Sequence, residues 1–339
     1  MIWTPLHAKV HRTIRERHLF ERNQRLLVAV SGGQDSLCLI KLLLDLQLKW
    51  GWHLGIAHCD HCWRPDSQAN ANHIEKLAKT WNILFYLETA TQPLSNEAAA
   101  RKWRYQALST IAQANNYHYV VTGHTASDRA ETLLYNLIRG TGADGLQALT
   151  WQRPLIADIM LVRPLLEITR TQTEQFCHDF HLPVWEDSTN QDLKYARNRI
   201  RQELLPYLQT NFNPKVESTL AQTAELLQAE VEYLEQATQN LREEAIRGDN
   251  KENPGFSVSL SSDSLPLRLN RRVLQTAPLA LQRRVMRQVL QQILPDSPTF
   301  EHIEKLTALI TAPNRSQTDP FPGGAIAQVQ DNWICLKQL

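Results

Sequence analysis

Apolar residues in the first half of the chain alternate between short continuous runs and a three-to-four-residue spacing. The runs Leu26–Val30, Leu54–His58, Ile83–Leu87 and Tyr119–Gly123 predict strands. The segments Ser36–Lys49, Ser67–Trp81, Asn96–Asn115 and Ser127–Ile138 follow them with helical periodicity. Strands separated by helices of this length predict βαβ units and a parallel sheet, hence an α/β fold. Ligands of such sheets sit at the carboxyl ends of the strands. Three polar clusters fall at those ends: Ser31-Gly-Gly-Gln-Asp-Ser36, His58-Cys-Asp-His61 and Thr122-Gly-His-Thr125.

Beyond Arg163 this regularity fades. The stretch to Leu208 is mixed and polar, with a helix expected near Asn198–Leu205, and Pro206 and Pro214 bracket an expected boundary. Residues 215–247 read as strongly helical, and RGDNKENPG at 247–255 reads as a loop. Helices are expected near Pro278–Leu294 and Thr299–Ile310, then a hairpin near Ala325–Leu336. The expected division is an α/β domain over 1–210, a helical linker over 211–250, and a smaller, mainly helical C-terminal domain with a terminal hairpin over 251–339.

Length and composition fit two domains: the chain has 339 residues, 42% of them hydrophobic and 21% charged. No stretch approaches the about 20 apolar residues that span a membrane. MIWTPLHAKVHRTIRERHLF lacks the apolar run of a signal peptide, so a cytoplasmic location without a membrane partner is expected. Five cysteines in a chain this long do not make a disulfide framework. A net charge of +1 leaves an RNA partner open, because local patches vanish in a total.

The cluster after the first strand has the form of an anion cradle. Backbone N–H groups of a glycine turn point at the anion, and the following helix N-terminus adds partial positive charge. Gly32 and Gly33 let backbone approach closely, and Ser31 and Ser36 add hydroxyl donors. Asp35 does not suit a bare phosphate, but suits one bridged by Mg²⁺. The loop is neither G-x-x-x-x-G-K-[ST] nor G-x-G-x-x-G. A plain strand–helix turn with Asp35 as cap is the alternative.

A strand followed by Ser-Gly-Gly-x-Asp-Ser resembles the signature of the PP-loop ATP pyrophosphatase family. The resemblance implies an adenine-nucleotide hydrolase-like domain that holds the β- and γ-phosphates of ATP and cleaves between α and β. Such enzymes adenylate a carbonyl oxygen, which a nucleophile then displaces together with AMP.

Four further stretches resemble one branch, the tRNA(Ile)-lysidine synthases. AHCDHCWRPDS (57–67) is similar to its His-x-Asp/Asn-His-x-x-Arg turn through His58, Asp60, His61 and Arg64. Cys62 and Trp63 stand where Gly and Leu are usual, which alters the expected turn shape more than the chemistry. NEAAARKWRYQAL (96–108) is similar to its arginine helix through Arg101, Arg104 and Tyr105. Two arginines three apart share a helix face and can hold phosphate or carboxylate. TGHTASDRAETLLYNLIRGTGADGL (122–146) resembles its Gly-His-x-x-x-Asp-x-x-Glu-Thr helix through His124, Asp128 and Glu131. Those acids share a face and suit Mg²⁺ or the ammonium of lysine; zinc is disfavoured, with no cysteine or second histidine nearby. VWEDSTNQDLKYARNRIRQELLP (184–206) resembles its Glu-Asp-x-Ser/Thr-Asn…Arg-Asn-x-Ile-Arg segment, and its basic cluster has the form of a phosphate-contacting surface. Solvated helix faces and an ordinary capped helix remain the bland readings of the last three. Arg268, Arg271, Arg272, Arg283, Arg284 and Arg287 form a second basic zone, which resembles the tRNA-recognising C-terminal domain of the same enzymes.

The resemblance implies an ATP-dependent ligase that joins L-lysine to the wobble cytidine of a CAU-bearing tRNA(Ile), using ATP and Mg²⁺; a homodimer is left open. Its implied catalytic residues are Asp35, Arg101, Arg104, His124, Asp128 and Glu131. Ser31, Gly32, Gly33, Gln34, Asp35, Ser36 and His58 would hold the nucleotide, with Asp35 on Mg²⁺. Lys194, Arg197, Asn198, Arg199 and Arg201 would contact tRNA. The competing readings are a base thiolase of the same family, using Cys59-x-x-Cys62, and a non-catalytic RNA-binding module. Cys38, Cys177 and Cys335 supply no second C-x-x-C to complete a zinc site.

Overall fold

The computed structural model describes residues 2–185, 192–247 and 267–338. They form two compact units, Met1–Gln228 and Ala229–Leu339. The first is built on a six-stranded sheet in the order β3-β2-β1-β4-β6-β5. Its four expected strands are β1 (Arg25–Ala29), β2 (His53–Asp60), β3 (Leu84–Thr89) and β4 (Tyr119–Thr122). The helices expected after them are α2 (Gln34–Trp50), α3 (Ser67–Thr80), α4 (Glu97–Ala114) and α5 (Ala126–Ile138). β1 pairs in parallel with both β2 and β4. The chain therefore leaves β1 in opposite directions across the sheet, and the crevice at the ends of β1 and β4 is the switch point where such sheets take ligands.

The continuous apolar run of β1 follows from cover on both faces. Leu26 and Val28 join a core with α2, α3 and the first helix, α1 (Pro5–Glu16). Leu27, on the opposite face, joins a core with Leu108 and Ala112 of α4. Alternate side chains point to opposite faces, so a strand sandwiched by helices must be apolar throughout.

Three parts of this unit differ from the expectation. α1 was not foreseen. Nor was the hairpin of β5 (Gln152–Ile156) and β6 (Ile159–Val162), in which β5 is the antiparallel edge. The mixed stretch after Arg163 contains α7 (Arg170–Asp179), capped by Thr169. A short α6 (Ala143–Leu146) lies before the hairpin. The helix expected near Asn198–Leu205 is α8 (Ala196–Arg199), a π-helical turn (Ile200–Leu204) and α9 (Leu205–Asn211). Pro206 sits inside this continuous helical run just after the π-helical turn, where a residue without an N–H cannot continue the regular ladder.

α10 (Val216–Arg247) carries the division between the units. The expected loop at 247–255 falls, beyond Arg247, outside the described residues. In the second unit β7 (Leu267–Asn270) is followed by α11 (Arg271–Thr276), α12 (Leu279–Ile293) and α13 (Phe300–Ala308). The expected hairpin is β8 (Ala325–Gln330) with β9 (Trp333–Gln338), and the three strands run β7-β9-β8. Val285, Met286, Val289, Leu306, Ile334 and Leu336 form its core. No helix among the described residues is long and apolar enough to cross a membrane.

Candidate active site

The Ser31–Ser36 turn leaves β1 at the switch point and opens α2. Gly32 has φ +95°, and a Cβ there would lie 2.5 Å from Asn70 Oδ1 and 3.2 Å from Trp185 Cβ. Only glycine fits both constraints. The turn is braced from outside: Asn70 Nδ2 donates to Ser31 O at 2.9 Å, and Trp185 N donates to Gly32 O at 3.0 Å. Inside, Ser36 Oγ donates to Gly33 O at 2.9 Å. Gly33 is the N-cap of α2 and no side chain caps it, so the first-turn N–H groups face the turn as anion donors. Gly123, after β4, would bring a Cβ within 2.8 Å of Asp35 O, so the second cluster is pressed against the first.

The two side chains at the centre of the turn point to α7. Gln34 Nε2 donates to Arg170 O at 2.9 Å and to Thr173 Oγ1 at 3.2 Å. Asp35 accepts from Thr173 Oγ1 and, at 3.3 Å, from Arg170 Nε. Burial and the charge of Asp128 push the Asp35 carboxyl up, against Arg170 and Thr173, which favour its ionised form.

Asp128 and Glu131 lie on the first turns of α5. Thr125 and Asp128 form a capping box, so Asp128 Oδ2 accepts from Thr125 N and Oγ1, each at 2.8 Å. Its other oxygen accepts from Arg170 Nη2 at 2.7 Å. Burial would raise the Asp128 carboxyl, but Arg170 and the Thr125 donors hold it below its ordinary range. Glu131 is 3% exposed and is held by Arg170 Nη1 at 2.9 Å and by Arg201 Nε and Nη2 at 2.7 and 2.9 Å.

A cavity of about 550 Å³ opens over these acids, lined among others by His61, Trp63, Arg101, Arg104, His124 and Arg197. Arg101 and Arg104 present one face of α4, their guanidinium carbons 5.2 and 5.8 Å from the Tyr105 ring centre. Burial, with Arg104, Arg197 and Arg153 nearby, lowers the Arg101 guanidinium from its ordinary value. That crowding of cations, with Glu97 of α4 near Arg197, suits an anion. His124 bonds Thr122 Oγ1 at 2.8 Å through Nδ1. Burial and the charge of Arg163 lower its pKa to about 3, so it is a neutral wall of the cavity and a poor base. His58 does not line the cavity. It is 4% exposed and its Nδ1 bonds Val30 O at 2.7 Å, tying the ends of β1 and β2 together beneath the turn.

The basic segment divides. Arg197 lines the cavity and lies 3.7 Å from Glu97. Arg201 is drawn to Glu131. Asn198 is buried and donates to Asp192 O at 2.9 Å. Lys194 and Arg199 are exposed, with Arg199 Nη1 donating to Leu193 O at 2.9 Å. Glu186–Asn190 of the same motif lie outside the described residues. In the second unit the other basic zone is largely occupied. Arg271 donates to Ile310 O and Ala312 O, Arg283 pairs with Glu304, and Arg284 and Arg287 converge on Glu235.

Cys62 takes φ +56°, the left-handed conformation that a glycine would supply, and its N–H donates to Asp60 Oδ1 at 2.8 Å. Burial pushes the Cys59 thiol up to about 12, far from the thiolate that sulfur chemistry needs. Among the described residues no trio of His, Cys, Asp or Glu is set to hold a metal.

Sequence reasoning missed Arg170 and Thr173. Thr169-x-x-Gln172 is a capping-box signature that marks the start of α7, and Arg170 is its first residue.

A mostly parallel sheet with a phosphate-type turn at its switch point defines an ATP-binding domain of the PP-loop class. The PP-loop domain family matches residues 4–208, and the TilS substrate binding domain family matches 269–333. A tRNA(Ile)-lysidine synthase of Nostoc sp. is 77% identical over 99% of this chain and 98% of its own. One from Synechocystis sp. is 49% identical over 98% of each chain. A chloroplastic one from Zygnema circumcarinatum is 35% identical over 91% of this chain and 81% of its own. The U34-tRNA thiolase NcsA of Methanococcus maripaludis, solved with its [4Fe-4S] cluster, shares the fold with TM-score 0.56 at 17% identity, over 66% of this chain and 77% of that one. The chain belongs to the tRNA(Ile)-lysidine synthases, tRNA-modifying ligases with a PP-loop ATP-binding domain.

Proposed function

We propose that this chain joins free L-lysine to C2 of the wobble cytidine of CAU-bearing tRNA(Ile), using ATP. The observation that carries the chemistry is one cavity lined by Arg101, Arg104, Asp128 and Glu131, whose acids are tied to Asp35 of the phosphate turn through Arg170. The C2 carbonyl oxygen attacks the α-phosphate of ATP and pyrophosphate leaves. An amine of lysine then attacks C2, and AMP departs with the oxygen. Both steps move negative charge over phosphate oxygens, where the turn N–H groups, Arg101 and Arg104 can hold it. Asp128 and Glu131 hold the ammonium that does not react. His124, uncharged, shapes the wall between the two.

Asp35 and Asp128 have the donor chemistry for Mg²⁺, which commonly takes one or two carboxylates and completes its shell with phosphates and water. Bound there, the ion supplies neutralisation of pyrophosphate charge. Lys194 and Arg199 meet tRNA phosphates near the reacting base, and Arg197 and Arg201 work within the cavity. Residues 1–210 act as the catalytic domain, 211–250 as a helical connection and 251–339 as the tRNA-recognition domain. A tRNA substrate is consistent with a cytoplasmic location.

The test is AMP release with ATP across a panel of amino acids and tRNAs. Release only with lysine and CAU-bearing tRNA(Ile) is expected. Release with another amino acid, or none, ends this reading.

A further inference from the structure

The Asp35–Asp128–Glu131 group is held together by one side chain. Arg170 gives a different nitrogen to each carboxylate: Nε to Asp35 at 3.3 Å, Nη2 to Asp128 at 2.7 Å and Nη1 to Glu131 at 2.9 Å. Its backbone is pinned too. Arg170 N donates to Ser127 Oγ at 3.0 Å, and its carbonyl accepts from Gln34. Ser127 lies on α5 and Gln34 on α2, so both elements that carry the acids also hold Arg170 in place.

Three carboxylates this close repel one another. Two guanidiniums, Arg170 and Arg201, stand against them and offset that repulsion. Arg201 touches the Glu131 end of the group, with a longer approach of 3.9 Å to Asp128. Of the two, it is Arg170 that spans from the turn carboxylate to the pair on α5. A planar guanidinium with fixed donor directions can hold three carboxylates at set angles, whereas the point charge of a lysine cannot.

We propose that Arg170 is a positioning residue of the ligase reaction. It fixes Asp128 and Glu131 in the geometry that receives the amino-acid ammonium, and keeps Asp35, on the nucleotide side, in register with them. The proposal rests on the reading above that Asp128 and Glu131 take lysine.

The experiment compares full-length wild type, R170K, R170Q and D128N. Melting temperature, lysine KM, kcat at saturating lysine, and Mn²⁺ binding without ATP by paramagnetic resonance are measured. R170Q is expected to raise lysine KM by about tenfold or more, the scale of losing hydrogen bonds to charged groups. Its kcat is expected to fall much less than KM rises. Mn²⁺ binding is expected to tighten, because an arginine no longer competes at Asp35. R170K is expected to raise KM in the same direction while keeping the charge. A wild-type lysine KM in either variant overturns the proposal, as does a loss confined to kcat. If R170Q fails to melt cooperatively, R170K alone decides by its KM. A wild-type lysine KM in D128N instead sinks the underlying lysine reading, so the two failures separate.

Discussion

The side-chain amide of Gln34 donates to the carbonyl of Arg170 at 2.9 Å, across 136 positions of sequence. The residue at the centre of the phosphate turn thus spends its side chain on the neighbouring helix. Gln34→Leu keeps the size and removes two hydrogen bonds. It is expected to destabilise the fold by about 1–2 kcal/mol, the net value of two neutral bonds, and to raise ATP KM through a looser turn. A wild-type melting temperature together with a wild-type ATP KM would show that the tether is idle.

Gly32 is the least replaceable position of the turn. Gly32→Ala adds left-handed strain of about 1–2 kcal/mol to a contact of 2.5 Å with Asn70 Oδ1. We expect a drop in melting temperature and loss of ATP-dependent pyrophosphate release. Unchanged release would mean that the turn can relax without cost.

Acidic pH should weaken the fold through its histidines. Burial lowers the pKa of His58, His61 and His124, the last to about 3. Each binds a proton more readily when unfolded, so stability is full above the ordinary histidine value and is lost as pH falls below about 6.5, for His124 down to its folded value. Melting temperature should fall between pH 7.5 and 5.5, and His124→Gln should reduce that fall. An equal fall in the variant would assign the dependence to other groups.

The cysteine pair is expected to be dispensable. A Cys59→Ser, Cys62→Ser double variant should keep wild-type lysine-dependent AMP release, because Cys59 stays a thiol at working pH. Abolished turnover in a folded variant would favour sulfur chemistry.

Exposed Lys194 and Arg199 should act on tRNA through phosphate charge. Replacing both by alanine should weaken tRNA binding and flatten its log–log salt dependence by about 1.5, since each lost contact removes about 0.7–0.9. An unchanged slope would move the tRNA path elsewhere.

β1, β2 and β4 were legible because they are sandwiched: β1 has no polar face to blur its run, and α2 and α5 begin at glycine or capping residues. The clusters at strand ends were legible for the same reason. α1 and α7 were not, because half or more of what they bury is polar or weakly apolar. α1 hides His7 and Thr13, and α7 hides Thr173 and Cys177 beside Phe176. Arg170 was lost with α7, since an arginine in a polar stretch reads as surface until three acids from distant segments close around it. His58 is expected as a nucleotide contact by its motif, and one ring nitrogen, Nδ1, bonds the carbonyl of Val30 just past β1.

The left-handed turn at Cys62 has a practical consequence. Of the five cysteines, Cys38, Cys177 and Cys335 are buried and Cys59 is half-buried, while Cys62 is exposed between His61 and Trp63 of the cavity wall. A thiol-reactive dye at mildly alkaline pH would mark that one position without any engineered residue. Its emission, one residue from His61 and Trp63 of the cavity wall, would report in real time when nucleotide, amino acid or RNA moves those side chains.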